Sequence, residues 1–461
     1  DLHSFPTRRS SDLEIFAHPE SPLYGHFKED EGGHTYGYIT VNISGGVIGN
    51  DHESTLEHTR GGNVFGGSMG RLIKLDGEYS PIWPFLARAK KTVVNITGGK
   101  IKSNVYGGSE LGTVRDSAVV IVNGGIVMRD VFAGGYGSDK TDFIHSEIPN
   151  HDVIETTPMQ TAGRVYGNTR IALNGGWVQK NVYGGGELAS VGTINSYTEH
   201  PEPEESTTNS TFNLSWAYEF VYADNTGTAT IKVTGGRVGI TGKDVMGNVE
   251  KEDNGDIYGG GKGIAGDRYV MAHCANVNNT VIHVNYTDQT ATSSNYTDTV
   301  AANRKGCIAG ALYGGGENGH VNTDVHVTID KGLVGHAVYG GGKGKDTYLT
   351  TLYHYDPVTY EPTAPYDTAI YSITAGKVYG NTYVTINGGY VVRNVFGGGN
   401  LASVGKGNYA GGVGDYSTTG YGECVTNTED WNYVHNSGHA YVTVKGGEIG
   451  MLNSSDPEKV F

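Results

Sequence analysis

Short bursts of alternating β-branched and polar residues run through the chain, each closed by a glycine pair. Val93 to Ile101 reads VVNITGGKI, and VVIVNGGIV, IALNGGWV, TIKVTGGRV, YVTINGGYV and YVTVKGGEI follow the same rule. A period of two predicts β-strand with every second side chain on one face. The glycine pair predicts a corner, because glycine adopts positive φ without a Cβ penalty. About nine residues further on comes a second module of a hydrophobic residue, an aromatic residue and glycines: NVYGGS at Asn104, DVFAGG at Asp130, NVYGGG at Asn181, DIYGGG at Asp256, AVYGGG at Ala337 and NVFGGG at Asn394.

From Gly98 to Gly124 the first module recurs after 26 residues, a span that fits one coil of three short strands. Nine occurrences, one of them degenerate around Val281 to Tyr286, predict roughly nine coils. A duplication overlies them. Gly163 to Gly192 matches Gly376 to Gly405 at 20 of 30 positions without a gap. The expected fold is therefore all-β: a single parallel β-helix, or solenoid, in two tandem blocks with long loop insertions. The block boundaries fall at 38–228 and 229–452, after a lead-in over 14–37 and before a truncated end over 453–461. Residues 1–13, DLHSFPTRRSSDL, look like a translated sequencing adapter and are set aside as an artefactual tail.

Composition narrows the alternatives. Glycine makes up 73 of 461 residues, about 16% against roughly 7% on average. Helices are disfavoured by that content, and with 13 prolines and paired glycines there is no collagen register. With 33 Lys+Arg against 49 Asp+Glu, the net charge of −16 argues against nucleic acid or an anionic membrane as partner. No apolar run approaches the roughly 18 residues of a transmembrane helix.

Coils stacked at about 4.8 Å place equivalent residues in ladders. Asn63, Asn104, Asp130, Asn181, Asp256 and Asn394 form one expected structural ladder. Phe65, Tyr106, Phe132, Tyr183, Tyr258, Tyr339 and Phe396 form an aromatic one. Insertions over roughly 70–91, 139–162, 193–228, 264–308, 345–375 and 406–439 carry unusually many aromatics. Of these, Trp83, Trp216, Tyr218, Tyr353, Tyr355, Trp431 and Tyr433 are the candidate ligand-binding residues, suited to the apolar faces of sugars or to a protein partner. Rings that merely seal the insertions onto the coils are the competing reading. GGYGSDKTD and GGKGKDTYL open like the calcium-binding nonapeptide repeat, which makes Asp139 and Asp346 weak candidates for calcium. Each copy stands alone, so a capped corner is favoured and no metal or cofactor is expected.

Glu110, Glu187 and Glu317 recur at one position after the glycines, with Asn400 in the fourth case. Paired carboxylates are the minimum equipment of a glycoside hydrolase or a metal-assisted lyase. A residue repeated in every module fits a corner ladder better than a unique catalytic pair, and no catalytic residue is assigned. The histidines, among them His52 and His58 in one loop, have no metal-ligand spacing. Three cysteines cannot all pair within the chain; Cys274 and Cys307 either bridge the base of one insertion or remain thiols.

On the VxIxGGxVxxxVYGGG couplet, from about Tyr38 to Leu452, the chain resembles Gly-rich β-helical surface or secreted proteins of gut Bacteroidota of the adhesin-like kind. The resemblance implies an extracellular or outer-surface location, with any signal peptide lost with the true N-terminus. Asp116-Ser117-Ala118, Asp298-Thr299-Val300 and Asp367-Thr368-Ala369 then look like the short O-glycosylation signal of such bacteria. The expected function is a non-catalytic scaffold presenting its insertions to glycans or to host or bacterial surface proteins. The rival is a β-helical polysaccharide lyase or glycoside hydrolase.

Overall fold

The alternating runs pair with one another in the order in which they occur. The computed structural model describes residues 37–49, 61–72, 74–75, 78–79, 87–146, 154–200, 217–239, 255–264, 272–287, 307–345, 348–355, 362–370, 375–405, 407–408, 432–433 and 438–450. Strands Tyr38–Ile48, Lys91–Ile101, Thr169–Val178 and Thr228–Val238 join Asn279–Asn285, Val325–Lys331, Thr382–Ile386 and Ala440–Val444 in one sheet. It has 14 strands, and the neighbours are parallel.

Each two-residue strand of the second module adds to another sheet. Val64–Phe65, Val105–Tyr106, Val131–Phe132, Val182–Tyr183, Ile257–Tyr258, Leu312–Tyr313, Val338–Tyr339 and Val395–Phe396 lie in that order, all parallel. Single parallel bridges make a third line, through Val114, Val165 and Val191, and through Val277, Val321, Val378 and Val404. The chain thus passes the same three lines of pairing once per repeat. The large sheet has nine such levels and the small sheet eight.

Where a glycine corner interrupts a strand, the level appears as two strands. Ala118–Val122 and Ile126–Val127 both lie between Lys91–Ile101 and Thr169–Val178, and these four pairings form a closed circuit. The sheet crosses from one expected block to the next without a gap, since Thr169–Val178 pairs with Thr228–Val238.

Alternation fills the space between the pairing lines with Val and Ile. Thr92, Val94 and Ile96 are buried while Val93, Asn95 and Thr97 are not, and Val94, Val105 and Val114 from the three lines join one core cluster. At four levels the first inward residue is a threonine that crosses this core. Thr92, Thr169, Thr280 and Thr382 donate to the carbonyls of Gly107, Gly184, Gly314 and Gly397 at 2.6–2.7 Å.

Two kinds of glycine are distinguished. In the large sheet the second of each pair takes positive φ, as at Gly99 (85°) and Gly176 (75°). In the glycine triplets the middle residue is glycine at all eight levels with no positive φ. There the reason is close approach: a Cβ on Gly185 would stand 2.7 Å from the backbone nitrogen of Gly261.

Several insertions carry antiparallel hairpins. Ile144–Ser146 pairs with Ile154–Thr156, Ile194–His200 with Ala217–Tyr222, Tyr348–Tyr355 with Pro362–Ile370, and Gly407–Asn408 with Asn432–Tyr433. They therefore have strand structure of their own, where loops were expected. Pro158–Thr161 is a single helical turn. Among the described residues no helix is long and apolar enough to cross a membrane.

Candidate functional site

The second module sends its valine into the core and its aromatic ring to the opposite face of the small sheet. The rings of Phe65, Tyr106, Phe132, Tyr183, Tyr258, Tyr313, Tyr339 and Phe396 stack there, with centroids 4.7–5.0 Å apart and planes within 9°. Tyr313 is an eighth member, beyond the seven expected from the sequence. Except at the two ends, the rings are buried.

On one side of this column runs the Asn/Asp ladder, in which each side chain caps the backbone of the next level. Asn63 Oδ1 accepts the N–H of Asn104, Asn104 that of Asp130, Asp130 that of Asn181, Asn181 that of Asp256, and Asp256 that of Ala311, at 2.7–3.1 Å. At Ala311 and Ala337 the side chain is too short to continue. Asn394 is exposed, and its carbonyl accepts the N–H of Val338. The same residues hold the phenols: Asn104 donates to Tyr106 Oη at 3.0 Å, Asn181 to Tyr183 Oη at 3.3 Å, and Tyr258 donates to Asp256 at 3.1 Å.

On the other side stands the column that follows the glycines: Glu110, Tyr136, Glu187, Lys262, Glu317, Lys343 and Asn400. Its middle alternates in sign. Lys262 Nζ lies 3.0 Å from Glu187, and Lys343 Nζ lies 3.8 Å from Glu317. The longer reach is to the rings, two levels away each time. Tyr106 donates to Glu187, Tyr183 to Glu317 at 2.5 Å, Lys343 to Tyr258 at 3.3 Å and Asn400 to Tyr313 at 3.3 Å.

Burial, and then the neighbouring acids, push these phenols up: Glu187 acts on Tyr106, Glu317 on Tyr183 and Asp256 on Tyr258. They remain neutral donors. Burial also raises the carboxyls of Glu110, Asp130 and Glu317, opposed at Asp130 first by Lys262 and at Glu317 first by Lys343. For Lys262, burial pulls the amine down, and Glu187, Asp130 and Glu317 together outweigh it. A phenol kept neutral and a carboxylate between a phenol and an ammonium make an interlocked strip, with acceptors and donors matched between levels.

Two further ladders escape a reading of the sequence. Before the large-sheet strands, Asn168, Asp324 and Asn381 accept the N–H groups of Thr228, Asn381 and His439. At the glycine pairs, Asn95 donates to Asn42, Asn123 to Asn95 and Asn174 to Asn123 across the exposed face. The first has a signal, an Asn or Asp one residue before the strand, whereas in the second Asn123 stands two residues further along the register than Asn95, so no fixed step marks it.

The aromatic candidates fall differently. Trp83, Trp216 and Trp431 lie outside the described residues. Tyr218 pairs with Glu199, Tyr353 with Pro365, Tyr355 with Pro362 and Tyr433 with Gly407 within hairpins. Asp139 is partly exposed beside Lys140, 3.9 Å away; Asp346, His52 and His58 lie outside the described residues. Among those residues no group of three or more His, Cys, Asp or Glu could hold a metal ion. Cys274 and Cys307 carry no disulfide and belong to different clusters, with Met159 and with Leu333 respectively. Comparison with family models, with curated proteins and with solved structures finds no match.

Proposed function

We propose that the chain is a parallel β-helix serving as a non-catalytic extracellular or cell-surface scaffold of the adhesin-like kind. Its hairpin insertions are presented to glycans or to surface proteins. The β-helix reading rests on the three lines of pairing visited in fixed order at successive levels. The function rests on one observation: in the strip the acids Asp130, Glu187, Asp256 and Glu317 are engaged by neighbouring levels through Tyr, Lys or backbone donors. A lyase or hydrolase needs acids that face substrate and change protonation during turnover, whereas these acids join one level to the next. The hairpins also recur at matching places. The hairpin from Ile194 follows Gly192 and the one from Gly407 follows Gly405, two glycines that align in the duplication.

A glycan array probed with residues 14–461, alongside a polysaccharide-degradation screen, tests the reading. Binding that is lost on replacing Trp216 and Tyr218, or Trp431 and Tyr433, by Ala, with thermal melting unchanged, supports it. Release of new reducing or unsaturated ends from a polysaccharide would sink it in favour of the enzyme.

A further inference from the structure

Where two insertions meet the stacked levels, a positive charge is buried without a negative one. Arg164 is 7% exposed. Its Nε donates to the Gly192 carbonyl at 2.8 Å and its Nη1 to the Gln160 carbonyl at 2.9 Å, which ties the root of one hairpin to the helical turn of another insertion. Both acceptors are neutral, and no carboxylate pairs with Arg164 among the described residues. The remaining nitrogen, Nη2, is buried with no hydrogen-bond partner.

A second donor is stranded nearby. The Tyr222 hydroxyl is buried and has no partner either. Its ring lies against the same Gly192, where a Cβ would fall 2.6 Å from Tyr222 Cε1. Burial raises this phenol, and the Arg164 charge pulls it down. Buried polar atoms are rarely left unpaired, and an unpaired buried cation is the costliest kind.

The position also recurs. In the duplicated segment Arg164 aligns with Lys377, another buried cation at 3% exposure. Lys377 Nζ stands 5.0 Å from the Tyr379 ring, as Arg164 Cζ stands 5.4 Å from the Tyr166 ring. A cation is thus kept at this place in both copies.

We propose that Arg164 Nη2 and the Tyr222 hydroxyl hold one small monovalent anion, a chloride or a carboxylate group. A single anion neutralises the guanidinium and accepts from both stranded donors, whereas a water molecule supplies no charge. This site is separate from the Glu–Lys–Tyr strip and does not depend on the scaffold reading.

Thermal melts of residues 14–461 at constant ionic strength, in sodium chloride, sodium formate or sodium isethionate, test the site. The melting temperature is expected to be higher in chloride or formate than in isethionate, and the more effective salt tells halide from carboxylate. The difference should vanish in Arg164→Gln. In Tyr222→Phe the half-saturating anion concentration should rise about tenfold, as for one lost hydrogen bond. Crystals soaked in bromide should show an anomalous peak beside Nη2, which decides the matter if Arg164→Gln does not fold. Equal melting in all three salts, an anion effect that survives in Arg164→Gln, or a water in place of bromide would overturn the proposal.

Discussion

Asn181 serves two bonds with one amide: its oxygen caps the Asp256 N–H, and its nitrogen donates to Tyr183 Oη. Asn181→Leu leaves a buried N–H unpaired and should cost about 1–3 kcal/mol in urea unfolding. Lys377 gives a different readout. Burial lowers its amine from 10.5 to about 8, so between pH 8 and 10.5 the unfolded chain holds a proton that the folded chain has lost. The Lys377 contribution to stability should rise with pH across that window, by about 3 kcal/mol in full, while the raised phenols and the raised Cys274 thiol act in the opposite direction near its upper end. At lower pH both states are protonated and the penalty is complete. Denaturant titrations of the wild type and Lys377→Met in parallel should show the wild type gaining on the variant as the pH rises from 8 to 10.5. The Asn/Asp ladder was readable in the sequence because its residues stand at a fixed step before the aromatic. The core-crossing threonines were not, because Thr92 and Thr169 alternate with Ala118 and Ala229 at the same inward position, and a Thr in a strand is unremarkable until its partner carbonyl across the core is known.

Among the elements, the short strands owe their existence to how closely the glycine triplets let the levels approach. Gly185→Ala sets a Cβ 2.7 Å from the backbone of the next level, and should lower stability by about 1–3 kcal/mol in a thermal melt. The insertions were the least legible elements, since a hairpin that pairs only with itself repeats nothing elsewhere in the chain. In the insertion over 193–228 the inner strand does more than present a surface. Phe220 is 8% exposed and packs with Ala272, Ile194 and Tyr222, with its ring edge-on to His273. Phe220→Ala should cost about 3 kcal/mol. At Phe220, therefore, the ring seals the insertion onto its neighbours, as the competing reading of the insertion aromatics expects.

For the whole molecule, parallel pairing of each level with the next gives the nearest-neighbour stability expected of stacked repeats. The strip adds bonds that skip a level, from Tyr106 to Glu187, Tyr183 to Glu317, Lys343 to Tyr258 and Asn400 to Tyr313. Such bonds give the stack a parity. Odd and even levels form two interleaved series, and the sign of the corner residue alternates with them from Glu187 to Lys343. Excising one level would bring Glu next to Glu or Lys next to Lys; excising two adjacent levels would restore the match. Calorimetry should therefore find a variant lacking two levels closer to the wild type in melting temperature than one lacking a single level. The duplication obeys the same arithmetic: its copies, on Thr169–Val178 and Thr382–Ile386, stand four levels apart in the large sheet. A chain of this kind can lengthen without rewriting its side chains only by even steps.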